Sequence, residues 1–207
     1  WSSDVCSFRS HIGNALEVKD AIDVLAGRTQ GDLLEISLLL GSHMLVLAEK
    51  AKTLPEARAM LENALSSGAG LRKLAEMIAA QGGDPRVVED LSLLPQAAVK
   101  RVMRAETAGY LSAMDTTALG MAAQRMGAGR AKKSDMLDYS VGYVLHVRLG
   151  DEVTEDTPLA TLYARNEAEA EEAEKAIRKA LTIARKKPQT PKLWDAVVTA
   201  EGITYNR

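Results

Sequence analysis

The spacing of apolar residues changes once along this chain, near residue 96, and no single type of element fits both spacings. Before that point apolar residues recur every three or four positions; after it they tend to alternate. In EVKDAIDVLAG, Val18, Ile22 and Leu25 fall on one helical face and Gly27 supplies a stop. GDLLEISLLLGSHMLVLAEK predicts a longer helix, apolar nearly all round and therefore buried on several sides. Gly41 within it costs about 1 kcal/mol of helix propensity, which predicts a close helix crossing. Thr53 and Glu56, with Pro55 between them, read as a capping box for a helix running to Gly68. LRKLAEMIAAQGG is one more helix, closed by Gly82 and Gly83, and Asp84–Pro85 opens a short one over RVVED.

Beyond Pro95 the pattern is different. AVKRVMRAETAGYLSAMD reads as strands, and Asp115 or Thr116 caps a helix over TALGMAAQRMG. SVGYVLHVRLGDEV sets Val141, Tyr143, Leu145, Val147 and Leu149 on one side of a strand, and TPLATLY is another. NEAEAEEAEKAIRKALTIARKK reads as a single helix, acidic at its start and basic at its end as the helix dipole favours. Glu171–Lys175 and Glu174–Arg178 are spaced to pair along it. The tail, PQTPKLWDAVVTAEGITYNR, is a loop with one last strand or short helix. The fold class is therefore α+β, in four segments: an unpatterned start (1–11), a helical part (12–95), a small α+β module (96–185) and a tail (186–207).

Composition removes several function classes. A formal net charge of -2 gives no bulk attraction to nucleic acid, and 4% aromatic residues offer few stacking platforms. The single cysteine, Cys6, excludes an internal disulfide and fits a reducing, cytoplasmic setting; in the least patterned segment it is a poor nucleophile. No apolar run is long enough to span a membrane. His11, His43 and His146 are not at metal-ligand spacing, and His43 reads as a core or edge histidine. RMGAGRAKKSD (125–135) admits two readings, an anion contact or a scaffold turn with Gly127 ending a helix. Its glycines follow a helix instead of opening one, which favours the scaffold.

Six blocks in order carry a family resemblance: IGNALEVKDAIDVLAG (12–27), LLGSHML (39–45), AQGGDPRVVED (80–90), LPQA (94–97), LGMAAQRMGAGRAKKSDMLDYSVG (119–142) and VLHVRLGDEV (144–153). Together they resemble the C-terminal half of the pyrimidine-nucleoside and thymidine phosphorylases, over residues 12 to about 183. The resemblance implies a homodimeric enzyme that uses phosphate to split uridine, thymidine or deoxyuridine into free base and ribose or deoxyribose 1-phosphate. It makes residues 12–95 the last helices of an α/β domain and 96–185 a C-terminal module of hammerhead or barrel-sandwich character. The family's glycine-rich phosphate loop, lysine–serine phosphate binders, catalytic histidine and arginine–serine–lysine pyrimidine grip all precede this region. None has a counterpart here, so no catalytic or substrate-binding residue is expected and the chain alone is expected to be inactive.

The same resemblance implies a structural monovalent cation, potassium, held by the Asp20 carboxylate and the backbone carbonyls of Phe8 and His11. Asp20 stands where the family usually has Glu, and the alternative is a plain helix-surface acid. WSSDVCSFRSH lacks the family's acidic, proline-containing run, and the expectation is an interruption near residue 11, by truncation or artificial joining. A competing reading is a non-catalytic module that binds a partner protein through Leu38–Leu40 and Leu45–Leu47.

Overall fold

The computed structural model describes residues 10–206. A two-residue strand β1 (His11–Ile12) leads into α1 (Asn14–Leu25), α2 (Asp32–Leu47), α3 (Leu54–Ser66) and α4 (Ala69–Ala80). Two single-turn 3₁₀ helices follow, Pro85–Val88 and Leu91–Leu93. Then come β2 (Val99–Arg104), β3 (Gly109–Met114), α5 (Thr116–Ala123), β4 (Gly142–Leu145), β5 (Glu152–Val153), β6 (Pro158–Ala164), α6 (Glu167–Ala180), β7 (Leu181–Ala184), β8 (Ala196–Thr199) and β9 (Gly202–Tyr205).

The caps follow the local chemistry. Thr53 Oγ1 accepts from Glu56 N at 3.3 Å, while the Glu56 carboxylate accepts from Lys52 N, one residue earlier than a strict capping box requires. Asp115, not Thr116, caps α5 by accepting from Ala118 N at 2.9 Å, and Asn166 caps α6 the same way through Glu169 N. Gly27, at φ 71°, terminates α1 as its position suggests. A Cβ on Gly41 would lie 2.9 Å from Leu61 Cδ1, so the glycine marks the close crossing of α2 and α3.

All strand pairs are antiparallel. One sheet has the order β1-β4-β6-β2, a second β5-β3-β7, and β8-β9 is a separate hairpin. Tyr143, Leu145, Leu162, Ala160 and Met103 project from the four-stranded sheet into one continuous core with Leu111, Leu119 and Ile177. Tyr143 is fully buried there, and its hydroxyl donates to Leu119 O at 2.7 Å. α6 lays a stripe of Ala170, Ala173, Ile177 and Ala180 onto the core; alanine lets the helix approach closely. Glu171–Lys175 pairs on its exposed side as expected; the expected Glu174–Arg178 pair flanks the packed stripe, where Arg101 on β2 joins Glu174 at 2.8 Å.

Three expectations give way. The strand read over SVGYVLHVRLGDEV covers only Gly142–Leu145, because the chain turns through 146–151 before the separate short strand Glu152–Val153 pairs with β3. The helix over 166–187 ends at Ala180, because Leu181–Ala184 leaves the helical path to pair with β3 as β7. α2 is not buried on several sides: Leu34, Leu38 and Ser42 are buried, whereas Leu40, Met44 and Leu47 are 57%, 68% and 83% exposed. The reason is a shortage of neighbours. Among the described residues, twenty buried apolar side chains form the core of the sheet-bearing part. The helical part has two separate clusters of three, Ile22–Val87–Val88 and Val24–Leu34–Leu38.

Truncating a side chain should therefore have very different consequences in the two parts. Leu162→Ala is expected to lower unfolding free energy by about 2–5 kcal/mol. Leu47→Ala should stay within about 0.5 kcal/mol of the unsubstituted chain. Urea denaturation followed by circular dichroism measures both.

Candidate functional site

The corner where β1 turns into α1 holds the sequence-derived candidates. Ile12 pairs with Tyr143 and His11 with Val144, and Leu145 N donates to Ser10 O at 2.7 Å. Hydrogen-bonded and non-bonded pairs alternate in an antiparallel ladder, so the His11 carbonyl points away from β4. Two glycines allow the approach. A Cβ on Gly142 (φ 148°) would sit 2.2 Å from Ile12 O, and one on Gly13 (φ 141°) 2.6 Å from Val141 O.

Helix α1 starts at a glycine and has no side-chain cap. Its opening turn is held instead by the segment that follows α5. Ala15 N donates to Tyr139 O at 3.0 Å and Asn14 Nδ2 to Ala128 O at 2.9 Å. That segment includes RMGAGRAKKSD. α5 runs into a wide turn at Gln124–Ala128, where Gly127 (φ 104°) breaks the helical path and its carbonyl accepts from Asp138 N at 3.0 Å. Ala131 N and Lys132 N, two donors that an anion would want, donate to the Asp135 carboxylate at 3.0 and 2.7 Å. The scaffold reading of this loop thus has a concrete form: its Ala128 carbonyl, with that of Tyr139 just beyond it, anchors the start of α1.

Asp20 is buried, at 6% exposure, and so is not the surface acid of the alternative reading. Its Oδ2 lies 3.3 Å from Nδ1 of His11, which also contacts Ser10 Oγ at 2.9 Å. Burial pushes the His11 imidazole below its ordinary value, against the pull of Asp20. Asp20 and the His11 carbonyl thus belong to one corner; Phe8 lies outside the described residues, as does Cys6. One turn further, Asp23 accepts from Lys19 Nζ at 2.6 Å and Arg28 Nε at 2.8 Å. Burial alone would raise its pKa, but these two cations outweigh it and hold the carboxyl below the usual range. Among the described residues no three His, Cys, Asp or Glu side chains form a group able to hold a metal, so a cation here would draw on backbone carbonyls.

The remaining histidines are elsewhere. His43, on α2, has Nε2 shielded from water without a hydrogen-bond partner among the described residues. His146 Nε2 lies 2.7 Å from Thr161 Oγ1, and burial together with the Lys100 charge pushes its pKa down. Among the described residues no helix is long and apolar enough to cross a membrane.

Residues 110–184, from the second residue of β3 through β7, match the family model described as pyrimidine nucleoside phosphorylase C-terminal domain. The C-terminal region of this chain matches the pyrimidine-nucleoside phosphorylase family. Pyrimidine-nucleoside phosphorylases of Bacillus subtilis and Geobacillus stearothermophilus are each 49% identical to it over 156 residues, covering 75% of this chain and 36% of theirs. The pyrimidine-nucleoside phosphorylase of Staphylococcus aureus is 43% identical over 173 residues, 84% of this chain and 40% of that protein. The chain thus spans well under half the length of the relatives it matches.

Two substitutions probe this corner. Gly142→Ala should cost about 1–3 kcal/mol, from backbone strain and the clash with Ile12, and lower the thermal midpoint. The pH dependence has a defined sign. With its pKa lowered in the folded state, His11 binds fewer protons folded than unfolded. Stability should therefore fall as pH drops below 6.5, its ordinary value, and His11→Gln should flatten that slope in thermal melts. Asp23, also lowered, contributes above the ordinary carboxylate range, and its share is lost only as acid reaches its folded pKa.

Proposed function

We propose that this chain is the C-terminal part of a pyrimidine-nucleoside phosphorylase. The complete protein uses phosphate to convert uridine, thymidine or deoxyuridine to free base and ribose or deoxyribose 1-phosphate, as a cytoplasmic homodimer. The observation that carries this reading is the extent of the identity: 43–49% over 156–173 residues, well beyond the matched domain at 110–184. In this reading residues 12–95 belong to the α/β nucleoside phosphorylase domain and 96–185 form a hammerhead or barrel-sandwich module. The two antiparallel sheets sharing one core support that description.

The chain's contribution is positional. Catalysis in such an enzyme depends on holding two substrates together and on stabilising charge on phosphate and departing base. The residue sets the resemblance assigns to those tasks have no counterpart in this sequence. What these residues do is fix a helical layer to a sheet: Gly13 against Gly142, Asn14 on Ala128, Ala15 on Tyr139, and Arg148 on Asp32.

Potassium fits the described part of its donor set. Asp20 offers a buried carboxylate in contact with the His11 ring, the His11 carbonyl faces away from β4, and hard oxygen donors suit such an ion. With the Phe8 carbonyl these residues would hold it, and its charge would neutralise Asp20 and tie β1 to α1.

The chain alone should release uracil or thymine, in a phosphate-dependent assay, more than about 10³-fold more slowly than the complete protein. Turnover of the chain alone near that of a full-length relative would contradict the assignment of roles. In the complete protein, potassium should raise the thermal midpoint, and Asp20→Asn should abolish that rise.

A further inference from the structure

We infer that α2 and α3 move as one hinged body, pinned at its pivot by the ion pair between Asp32 and Arg148. The inference stands apart from the proposed activity: it concerns how the helical layer is divided, whatever reaction the complete protein carries out.

The two helices are joined to each other more firmly than to their surroundings. Gly41 lets Leu61 close onto α2, and both Glu35 carboxylate oxygens accept from Arg58 Nη2, at 3.0 and 2.9 Å. α4 belongs to a different body. Its Leu71, Leu74, Ala75 and Ile78 pack on Ile22, Val87 and Val88, which ties it to α1 and the first 3₁₀ helix. The two bodies meet incompletely. Val24 of α1 packs with Leu34 and Leu38 of α2, but beside them lies an apolar cleft of about 370 Å³, lined by Leu25, Leu33, Leu61 and Leu65 among others. Close packing resists relative movement, and a gap of that size gives the resistance up.

Glycines stand at both ends of the pair. Gly31 (φ 123°) precedes α2 and Gly68 (φ 70°) follows α3, both on the positive-φ side that glycine adopts freely. A Cβ on Gly31 would meet nothing within 4 Å, so no neighbour fixes the chain there. Arg28 N and Thr29 N donate to Asp23 O at 2.8 and 3.3 Å; the first half of the α1–α2 loop therefore moves with α1, and the bend is left to Gln30–Gly31. The next residue is Asp32. Its carboxylate pairs with Arg148, and among the described residues this is the one polar contact between α2 and the sheet-bearing part. Arg148 stands on a fixed base. Its N donates to Asp151 Oδ2 at 2.8 Å, and the same turn bonds to β3 through Gly150 N to Leu111 O (2.8 Å) and Leu111 N to Asp151 O (2.9 Å). The two side chains of the pair are 42% and 43% exposed, so salt can weaken the pin.

Pulsed electron paramagnetic resonance tests this, with nitroxides on cysteines introduced into a Cys6→Ser chain. One label sits at Ala59→Cys on α3 or Ala79→Cys on α4, and the other at Ala168→Cys on α6; all three alanines are exposed. Arg148→Met should raise the population with a displaced 59–168 distance about twofold to fivefold and leave the 79–168 distance as it was. Raising sodium chloride to about 1 M should do the same to the unsubstituted pair and add little in Arg148→Met. Asp32→Asn, which removes the charge with little change of shape, should reproduce the effect while far-UV circular dichroism stays unchanged. A 59–168 distance that neither variant nor salt alters overturns the proposal. A 79–168 distance that shifts as much overturns it too, by making the helical layer one body. So does loss of the fold in both variants, since a pin at a pivot is dispensable to the bodies it joins.

Discussion

Among the described residues the four helices carry more apolar surface than their neighbours cover, and much else in the molecule follows from that imbalance. Hydrophobic burial is the main favourable term in folding, about 25 cal/mol per Å² of apolar area. The sheet-bearing part has met it with a continuous core around Tyr143, Leu162 and Ile177. The helical part closes only two small clusters and leaves a stripe of leucine and methionine in water. Its α4 has no buried residue at all, although its sequence is strongly two-faced.

What holds these helices in place is backbone geometry more than side-chain burial. Gly13 and Gly142 let two strands approach where any Cβ would collide with a carbonyl. A loop more than a hundred residues downstream then provides the acceptors that the uncapped start of α1 lacks. Asp20 and His11 lie at this junction, so an ion bound by Asp20 would act on the attachment of α1 to the sheet. The basic loop, which composition alone left between anion contact and scaffold, turns its backbone to the same task.

Much of this was legible in the residues. The alternation of Val141, Tyr143, Leu145, Val147 and Leu149 marks one side of the segment around β4; the first four are buried and Leu149 is half-buried, although the strand itself covers only Gly142–Leu145. The Glu171–Lys175 and Glu174–Arg178 spacings mark ion pairs along α6, and Gly41 marks a helix crossing. Local chemistry suffices for these because caps and periodicity act over a few residues. Non-local choices were not legible. Leu181–Ala184 continues a helical pattern but pairs with β3, since a strand partner outweighs weak helix propensity. The apolar pattern of α2 led to an expectation of burial on several sides, but burial depends on neighbours that a local pattern does not contain. At the candidate site the resemblance pointed to Asp20 and to a His11 carbonyl. The contact of the His11 ring with that carboxylate bridges a strand and a helix, and no short-range pattern announces it.

Amide hydrogen exchange on this chain by itself addresses the central claim most directly, because exchange reports how much free energy each region needs to open. Amides of β4, β6 and β2 should exchange only with global unfolding, while those of α2, α3 and α4 should exchange through cheaper local opening. Protection of the helical amides equal to that of the central strands would mean that the helices possess a sufficient core of their own, and would contradict this account.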